Sequence, residues 1–399
     1  MKRFLLLPVM LFFSAGLAFS LDFGLFAEQK IETDNNLFLY NPSFTPWFSW
    51  DGGEKLSVYL SGIFSLEYYK YSDDQAGAGG WTKPALKFEL SRSSLNYRIN
   101  KNMSIEAGRV EYSDALSFAA AGLFDGVRFM AVSPVGNINA GLFYTGLLYK
   151  RTANILMTGD DAVKYAEPWG WDNISGSFAS RRLLAALRWD IPLGEANTFS
   201  VEILSQFDLN GGDQTLHSQY GEIKVDFFPR NMFVITAGAV FEAMENGEGD
   251  LYAAFGALAG FKTALPGSLN DWLNINMKFS SGFLNDAFSA FTPLNSIAQG
   301  TIFQNTISGL ALLSANYSVR INNAIFAEGF LRYFIRTYDD PAADGNLYGG
   351  ELWASFALQP LDDIRLALGA GVFFPGLGNV YPAGTELMWK INTVLSLSF

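Results

Sequence analysis

The chain of 399 residues contains no cysteine, is 49% hydrophobic and only 17% charged, and carries a formal net charge of −12. Without cysteine it has neither a disulfide framework nor a thiolate metal site, and the acidic balance argues against a nucleic-acid partner. A soluble protein of this size usually devotes about a quarter of its residues to charge, so the sparse charge here is itself a signal.

The first twenty residues, MKRFLLLPVMLFFSAGLAFS, place Lys2 and Arg3 before an apolar run from Phe4 to Phe13 and end in small residues. This is the pattern of a secretory signal, cleaved after Ala18 or after Ser20. The run is too short for an anchor, which needs about 20 apolar residues. Without Lys2 and Arg3 the chain carries 25 basic against 39 acidic side chains, a balance of −14. Beyond the signal the longest apolar candidate, Leu251 to Phe261, is about half of a spanning helix. A chain this apolar without such helices either packs a large soluble core or faces lipid through a closed barrel, because lipid tolerates no unpaired sheet edge.

Period-two alternation begins at Leu21, Phe23 and Leu25. That leaves no room for a plug domain of the kind a TonB-dependent receptor carries. Leu56 to Tyr68 sets Leu56, Val58, Leu60, Phe64 and Leu66 against Ser57, Tyr59, Ser61, Ser65 and Glu67, and Leu273 to Ser280 repeats the pattern. Neighbouring strand residues point to opposite faces, so each segment has one polar and one apolar side. The last segment, TELMWKINTVLSLSF, has Leu387, Trp389, Ile391, Leu395, Leu397 and Phe399 on one phase and mostly polar residues on the other. Periodicity alone does not say which face is wet.

Leu395, Leu397 and the terminal Phe399 resemble the end of bacterial outer-membrane proteins, whose final strand is read by the barrel-assembly machinery. Together with the signal, the resemblance implies export to the outer membrane and contact with its lipid and lipopolysaccharide. It also turns the apolar faces to lipid and the polar faces to a wet lumen.

Turn signals fall near Asp51-Gly52-Gly53, Asn100-Lys101-Asn102, Ser133-Pro134, Pro192-Leu193-Gly194, Pro229-Arg230-Asn231, Pro266-Gly267, Asn322-Asn323 and Pro360 to Asp363. Between them lie longer polar or glycine-rich stretches at 33–43, 72–83, 113–124, 150–177, 209–217, 243–250, 284–304, 337–346 and 375–384. Short periplasmic turns alternating with long outer loops are the mark of a transmembrane barrel. Eight turns and nine loops predict an all-β, antiparallel barrel of eighteen strands in one domain, 21–399, with sixteen strands the alternative. The weakest strand is the second, Phe44 to Trp50, which Pro46 interrupts.

The phase of the strands predicts a basic wall. Leu86, Phe88 and Leu90 share one phase and Leu95, Tyr97 and Ile99 the other, so the phase shifts near Ser91 to Ser93 and turns Arg92 and Arg98 inward. Arg128, Arg182 and Arg188 face inward by the same reasoning. Permanently charged guanidinium groups along a pore would orient anionic solutes through paired donors. The bland reading is that they brace the barrel against inward acids such as Glu89, Glu202 and Asp226. Arg109 falls on the lipid phase of Ile105 and Ala107 unless a bulge intervenes.

The segment Tyr112 to Gly126 is too apolar for an exposed loop. It is expected to fold into the lumen, with Asp114 and Asp125 opposite the arginines, the alternative being an apolar cap at the rim. Its surroundings, GRVEYSDALSFAAAGLFDGVRF from Gly108 to Phe129, resemble the Gly-Arg and Phe-Asp-Gly-X-Arg pieces of alginate-export-like and other eighteen-stranded substrate porins. On the strand from Ala324 to Arg336, Phe326, Phe330 and Phe334 share a face with Glu328 and Arg332, which joins that pair to the candidate lumen residues.

Other features read blandly. Outer-membrane hydrolases as families depend on histidine, and His217 is alone, in the loop NGGDQTLHSQY with Asp213 nearby. Asp73-Asp74, Asp160-Asp161 and Asp339-Asp340 read as solvated loop charge before cation sites. Trp47, Trp50, Trp169 and Trp171 read as interfacial anchors. No nucleotide, metal-ligand or cofactor spacing is present. The sequence therefore predicts a passive channel for small hydrophilic solutes with a local preference for anions, and no enzyme. A hydrophobic-compound transporter of the fatty-acid-channel type and a surface adhesin or structural barrel stay open, as does a homo-oligomer.

Overall fold

The computed structural model describes residues 20–71, 85–167, 173–211, 214–230, 232–267, 269–283, 288–339, 345–382 and 384–399. The expected signal, apart from Ser20, lies outside them, as do Asp73-Asp74, Trp169, Trp171, Asp213 and Asp340.

Eighteen strands follow one another: β1 (Ser20–Asp34), β2 (Leu37–Asp51), β3 (Leu56–Tyr71), β4 (Ala85–Asn100), β5 (Met103–Ser113), β6 (Ala121–Ser133), β7 (Gly136–Tyr144), β8 (Arg182–Leu193) and β9 (Asn197–Asp208). The second half comprises β10 (Leu216–Arg230), β11 (Phe233–Asn246), β12 (Leu251–Ala264), β13 (Asn270–Ser280), β14 (Leu310–Arg320), β15 (Ile325–Arg336), β16 (Leu347–Leu361), β17 (Ile364–Phe374) and β18 (Met388–Ser398). Each pairs antiparallel with its neighbours, and β1 pairs with both β2 and β18, so the sheet closes on itself. The last residue seals the join: Phe399 N donates to Leu25 O at 2.9 Å and Leu25 N donates to Phe399 O at 3.0 Å.

The polar phase points inward, as the resemblance of the last strand implies. On β18, Lys390 is buried against Glu32 at 2.6 Å, whereas its neighbour Ile391 is 48% exposed on the outer face. All eight expected turns join strands where the sequence places them. The first hairpin departs from expectation. No loop spans 33–43; only Asn35 and Asn36 separate β1 from β2, with Asp34 Oδ1 accepting from the amides of Asn36 and Leu37 at 2.9 and 2.8 Å. Both prolines are accommodated inside β2. Its ladder with β1 is unbroken from Thr33↔Phe38 to Ser20↔Asp51, while its ladder with β3 skips residues 41–42 and 45–46. The missing N–H groups thus fall on one side of the strand.

The lumen is partly filled. The described parts of the connections 114–120, 145–181 and 281–309 fold inward and build a buried cluster that includes Leu116, Phe118, Ile155, Phe291 and Leu294 against wall residues such as Leu204. A second cluster gathers Phe334, Phe373 and Leu310, with Phe303 stacked on Phe373 at 4.6 Å.

Candidate functional site: the lumen constriction

The connection between β5 and β6 crosses the lumen. Asp114 holds its shape, accepting from the amides of Leu116, Phe118, Ala119 and Ala120 at 3.0, 3.1, 2.8 and 2.6 Å. The far wall then takes the remaining donors. Glu202 Oε2 on β9 accepts from Ala115 N at 2.6 Å, its Oε1 accepts from the Tyr112 hydroxyl at 2.6 Å, and Glu222 Oε2 on β10 accepts from Leu116 N at 3.2 Å. Apolar contact completes the dock, since Gly238 leaves room for Leu116 and Gly256 for Phe118. Asp114 is therefore 2% exposed and spent on its own loop. It does not line the pore opposite the arginines, because four amides already occupy its oxygens.

The arginines separate into three groups. Arg92 and Arg128 both reach Glu106 on β5, Arg92 at 3.4 Å, and Arg188 pairs with Asp190 at 2.8 Å. Arg92 also lies 5.7 Å from the Tyr59 ring, on which Trp47 stacks at 6.4 Å. Trp47 thus sits on the lumen phase rather than in the interfacial girdle, because its neighbour Phe48 takes the outward position. Arg128 and Arg188, with Tyr112, Ser113, Asn139 and Glu202, line a cavity of about 90 Å³ between the docked loop and the β6–β8 wall.

Arg182 belongs to neither the pore nor solvent. It is fully buried between Asp161 at 2.6 Å and Asp208 at 3.1 Å and donates to Leu216 O at 3.1 Å. Asp161 is correspondingly no solvated loop charge; it closes a capping box with Thr158 at the start of the helix Gly159–Ala166 and pins that helix to the wall. Arg98 is exposed near the short-turn end of β4 and makes no ion pair among the described residues.

On β15, Arg332 donates to Glu351 Oε1 at 2.7 Å and to Thr301 Oγ1 at 2.9 Å, and Glu328 accepts from Asn316 at 2.9 Å. Glu351 also accepts from the amides of Thr301, Ile302 and Phe303 at 2.9, 2.9 and 3.0 Å, and Glu242 from Thr292 N at 2.8 Å. Inward glutamates thus hold the 114–120 and 281–309 connections by their backbone. The sequence shows Glu222, Glu242 and Glu351 on the inward phase, but nothing in it pairs them with loop amides. His217 is the second residue of β10, where its Nδ1 accepts from Asp208 N at 3.0 Å, a structural contact.

One seam of the barrel is interrupted. The β4–β5 ladder stops at Ser93↔Arg109, although β4 continues to Ala85 and β5 to Ser113. Gly108, beside the last paired residue, sits at φ +123, and a Cβ there would collide with the Ser93 carbonyl. Arg109 keeps the outer phase expected of it and is nevertheless 5% exposed. It makes a two-pronged pair with Asp125 at 2.8 and 2.9 Å and donates to the carbonyls of Leu90 and, at 2.9 Å, Leu147. Such a fork satisfies groups that a missing strand partner leaves open. The connection 145–152 crosses the same place: Lys87 lies 5.4 Å from the Tyr149 ring and Thr152 Oγ1 donates to Glu89 at 2.8 Å. Burial lifts the Tyr149 phenol to about 12.

Fold and lumen together define a closed eighteen-stranded antiparallel barrel with loops folded into its bore. Its fold is similar to that of solved structures from Pseudomonas aeruginosa. OccK5 (OpdH) superposes with a TM-score of 0.62 at 10% identity, covering 95% of this chain and 98% of that one. OpdQ gives 0.59 at 10% identity, over 95% and 99%, and OpdK with vanillate gives 0.59 at 10%, over 95% and 98%. No family model matches the chain, and no curated protein matches its sequence.

Proposed function

We propose that the protein is an outer-membrane channel for passive diffusion of small hydrophilic solutes, with a local preference for anions. The observation that carries this reading is the cavity between the docked loop and the wall, where Arg128 and Arg188 stand beside Asn139 and Ser113. A guanidinium pair next to neutral hydrogen-bonding groups attracts and orients a carboxylate or similar anion. Occupation of a barrel of this fold by an organic acid is in keeping with it, since OpdK was solved with vanillate. Glu106 and Asp190 offset part of the positive charge, so attraction is local to the narrow zone. Arg92 extends the basic track along β4, and Arg98 lies near its short-turn end.

Export through the signal in residues 1–20, recognition of Leu395, Leu397 and Phe399 by the barrel-assembly machinery, and an apolar belt facing lipid and lipopolysaccharide complete the reading. Planar-bilayer recording of the purified protein tests it. A steady ohmic conductance with a reversal potential shifted toward anion permeation is expected in a salt gradient. Absence of conductance from folded protein would refute the channel.

A further inference from the structure

We infer that the outer half of the β4–β5 seam is a lateral portal, a side passage between the lumen and the outer leaflet for an amphipathic solute. The inference goes beyond axial diffusion and rests on a different part of the wall.

A barrel avoids exposed edges by pairing every strand along its length, and lipid penalises any backbone group left unpaired. Here the ladder ends at Ser93↔Arg109 and leaves the remaining parts of both strands unpaired with each other. Among the described residues, no backbone hydrogen bond from another segment replaces it. What closes the gap is a set of side chains: the Arg109 fork on Asp125, Leu90 O and Leu147 O, the Thr152–Glu89 hydrogen bond, and Tyr149 against Lys87. Side-chain closures reopen by rotamer changes, whereas a ladder must be unzipped residue by residue. A buried charge pair on a lipid-facing phase is costly to keep, and ionisable groups in such places mark pathways.

The polarity of the rim defines the solute. Toward lipid stand Leu86, Phe88, Leu90 and Leu147, all exposed. Toward the lumen stand Lys87 and Glu89, with Arg109 between the two zones. A molecule with an apolar tail and a small anionic head meets acyl chains with one end and cations with the other. A fully hydrophilic solute gains nothing from this exit.

The chain has no cysteine, so an introduced pair is unique. Ser91→Cys and Glu111→Cys place thiols on either side of the open ladder, and a flexible bis-maleimide joins them in the folded protein. The protein is reconstituted in vesicles whose outer leaflet is lipopolysaccharide, with a fluorescent dodecyl carboxylate as probe and potassium chloride conductance recorded in parallel. Expected is severalfold faster probe uptake than in protein-free vesicles, its loss on cross-linking, and unchanged conductance. Uptake that survives complete cross-linking, or that never exceeds the protein-free rate, overturns the portal. Arg109→Met with Asp125→Leu decides independently of cross-linking yield: the unlatched seam should take up probe faster than the parent, and an equal or slower rate also overturns the portal. Loss of conductance in the parent would instead count against the axial channel, so the two failures are distinguishable.

Discussion

From β4 to β8 the inward arginines pair along the sheet, Arg92 and Arg128 with Glu106 and Arg188 with Asp190, so their charges are held in place and kept facing the bore. From β9 to β11 the inward acids reach across it instead, Glu202, Glu222 and Glu242 accepting from amides of Ala115, Leu116 and Thr292. Both walls obey the same strand alternation and carry inward ionisable groups. The difference lies in the partner. Side-chain partners on neighbouring strands leave a polar surface, whereas loop amides convert a wall into a dock and remove it from the pore. The basic wall therefore keeps a polar surface toward the bore, and the acidic wall carries the loops that fill part of it.

The largest effect should come from breaking a dock rather than altering the surface. Arg182→Met leaves Asp161 and Asp208 buried without their cation, and stranding one side of a buried ion pair costs about 3–5 kcal/mol. The expected result is a markedly lower urea midpoint in detergent and early proteolysis within 145–181. A midpoint equal to that of the parent would show that the helix Gly159–Ala166 does not depend on this anchor. Next, Glu351→Ala deprives three amides and Arg332 of their acceptor. A loss of about 2–3 kcal/mol is expected from groups left unsatisfied, together with a rise in single-channel conductance as the 281–309 loop loosens.

The two walls were unequally legible in the sequence. Alternation gave the strands, the turns and the inward phase of Arg128 and Arg188, because a period of two is a local property. The apolar composition of Tyr112 to Gly126 pointed to an inward fold, which holds for 114–120, whereas 112–113 and 121–126 are strand residues of β5 and β6. It misplaced Asp114, read as facing the arginines, because a carboxylate that caps its own loop looks no different in sequence from one that faces water. Arg182 and Asp161 were misread for a related reason: their pairing spans a connection whose path no local pattern encodes. A loop was expected over 33–43 and Pro46 made the second strand the weakest, yet β2 runs through both, because one neighbour's ladder can stay whole while the other's is interrupted. Arg109 was placed on its correct phase, but the ladder break that makes this position useful is visible only once β4 and β5 are aligned.

Smaller effects test how the docked loop shapes the bore. Asp114→Ala removes the acceptor of four amides, a loss comparable to a helix cap at about 1–2 kcal/mol. The loop should then sample undocked positions, and conductance should become noisy without a large fall in stability. If recordings stay quiet, contacts of Leu116 and Phe118 with the far wall suffice to hold it.

The smallest energetic change should have the clearest functional signature. Arg128→Gln with Arg188→Gln keeps a polar, hydrogen-bonding side chain at each position while removing two charges from the cavity wall. A unit charge at about 4 Å in a water-like medium is worth roughly 1 kcal/mol, which corresponds to about a fivefold change in relative permeability. The reversal potential should therefore move toward cations, Asp190 then losing its cation and Glu106 keeping only Arg92, while the urea midpoint stays close to that of the parent. The same substitutions at Arg92 and Arg98, away from the docked loop, should shift selectivity less. If all four positions contribute equally, the charge of the whole bore would set selectivity and the constriction would act only as a size filter.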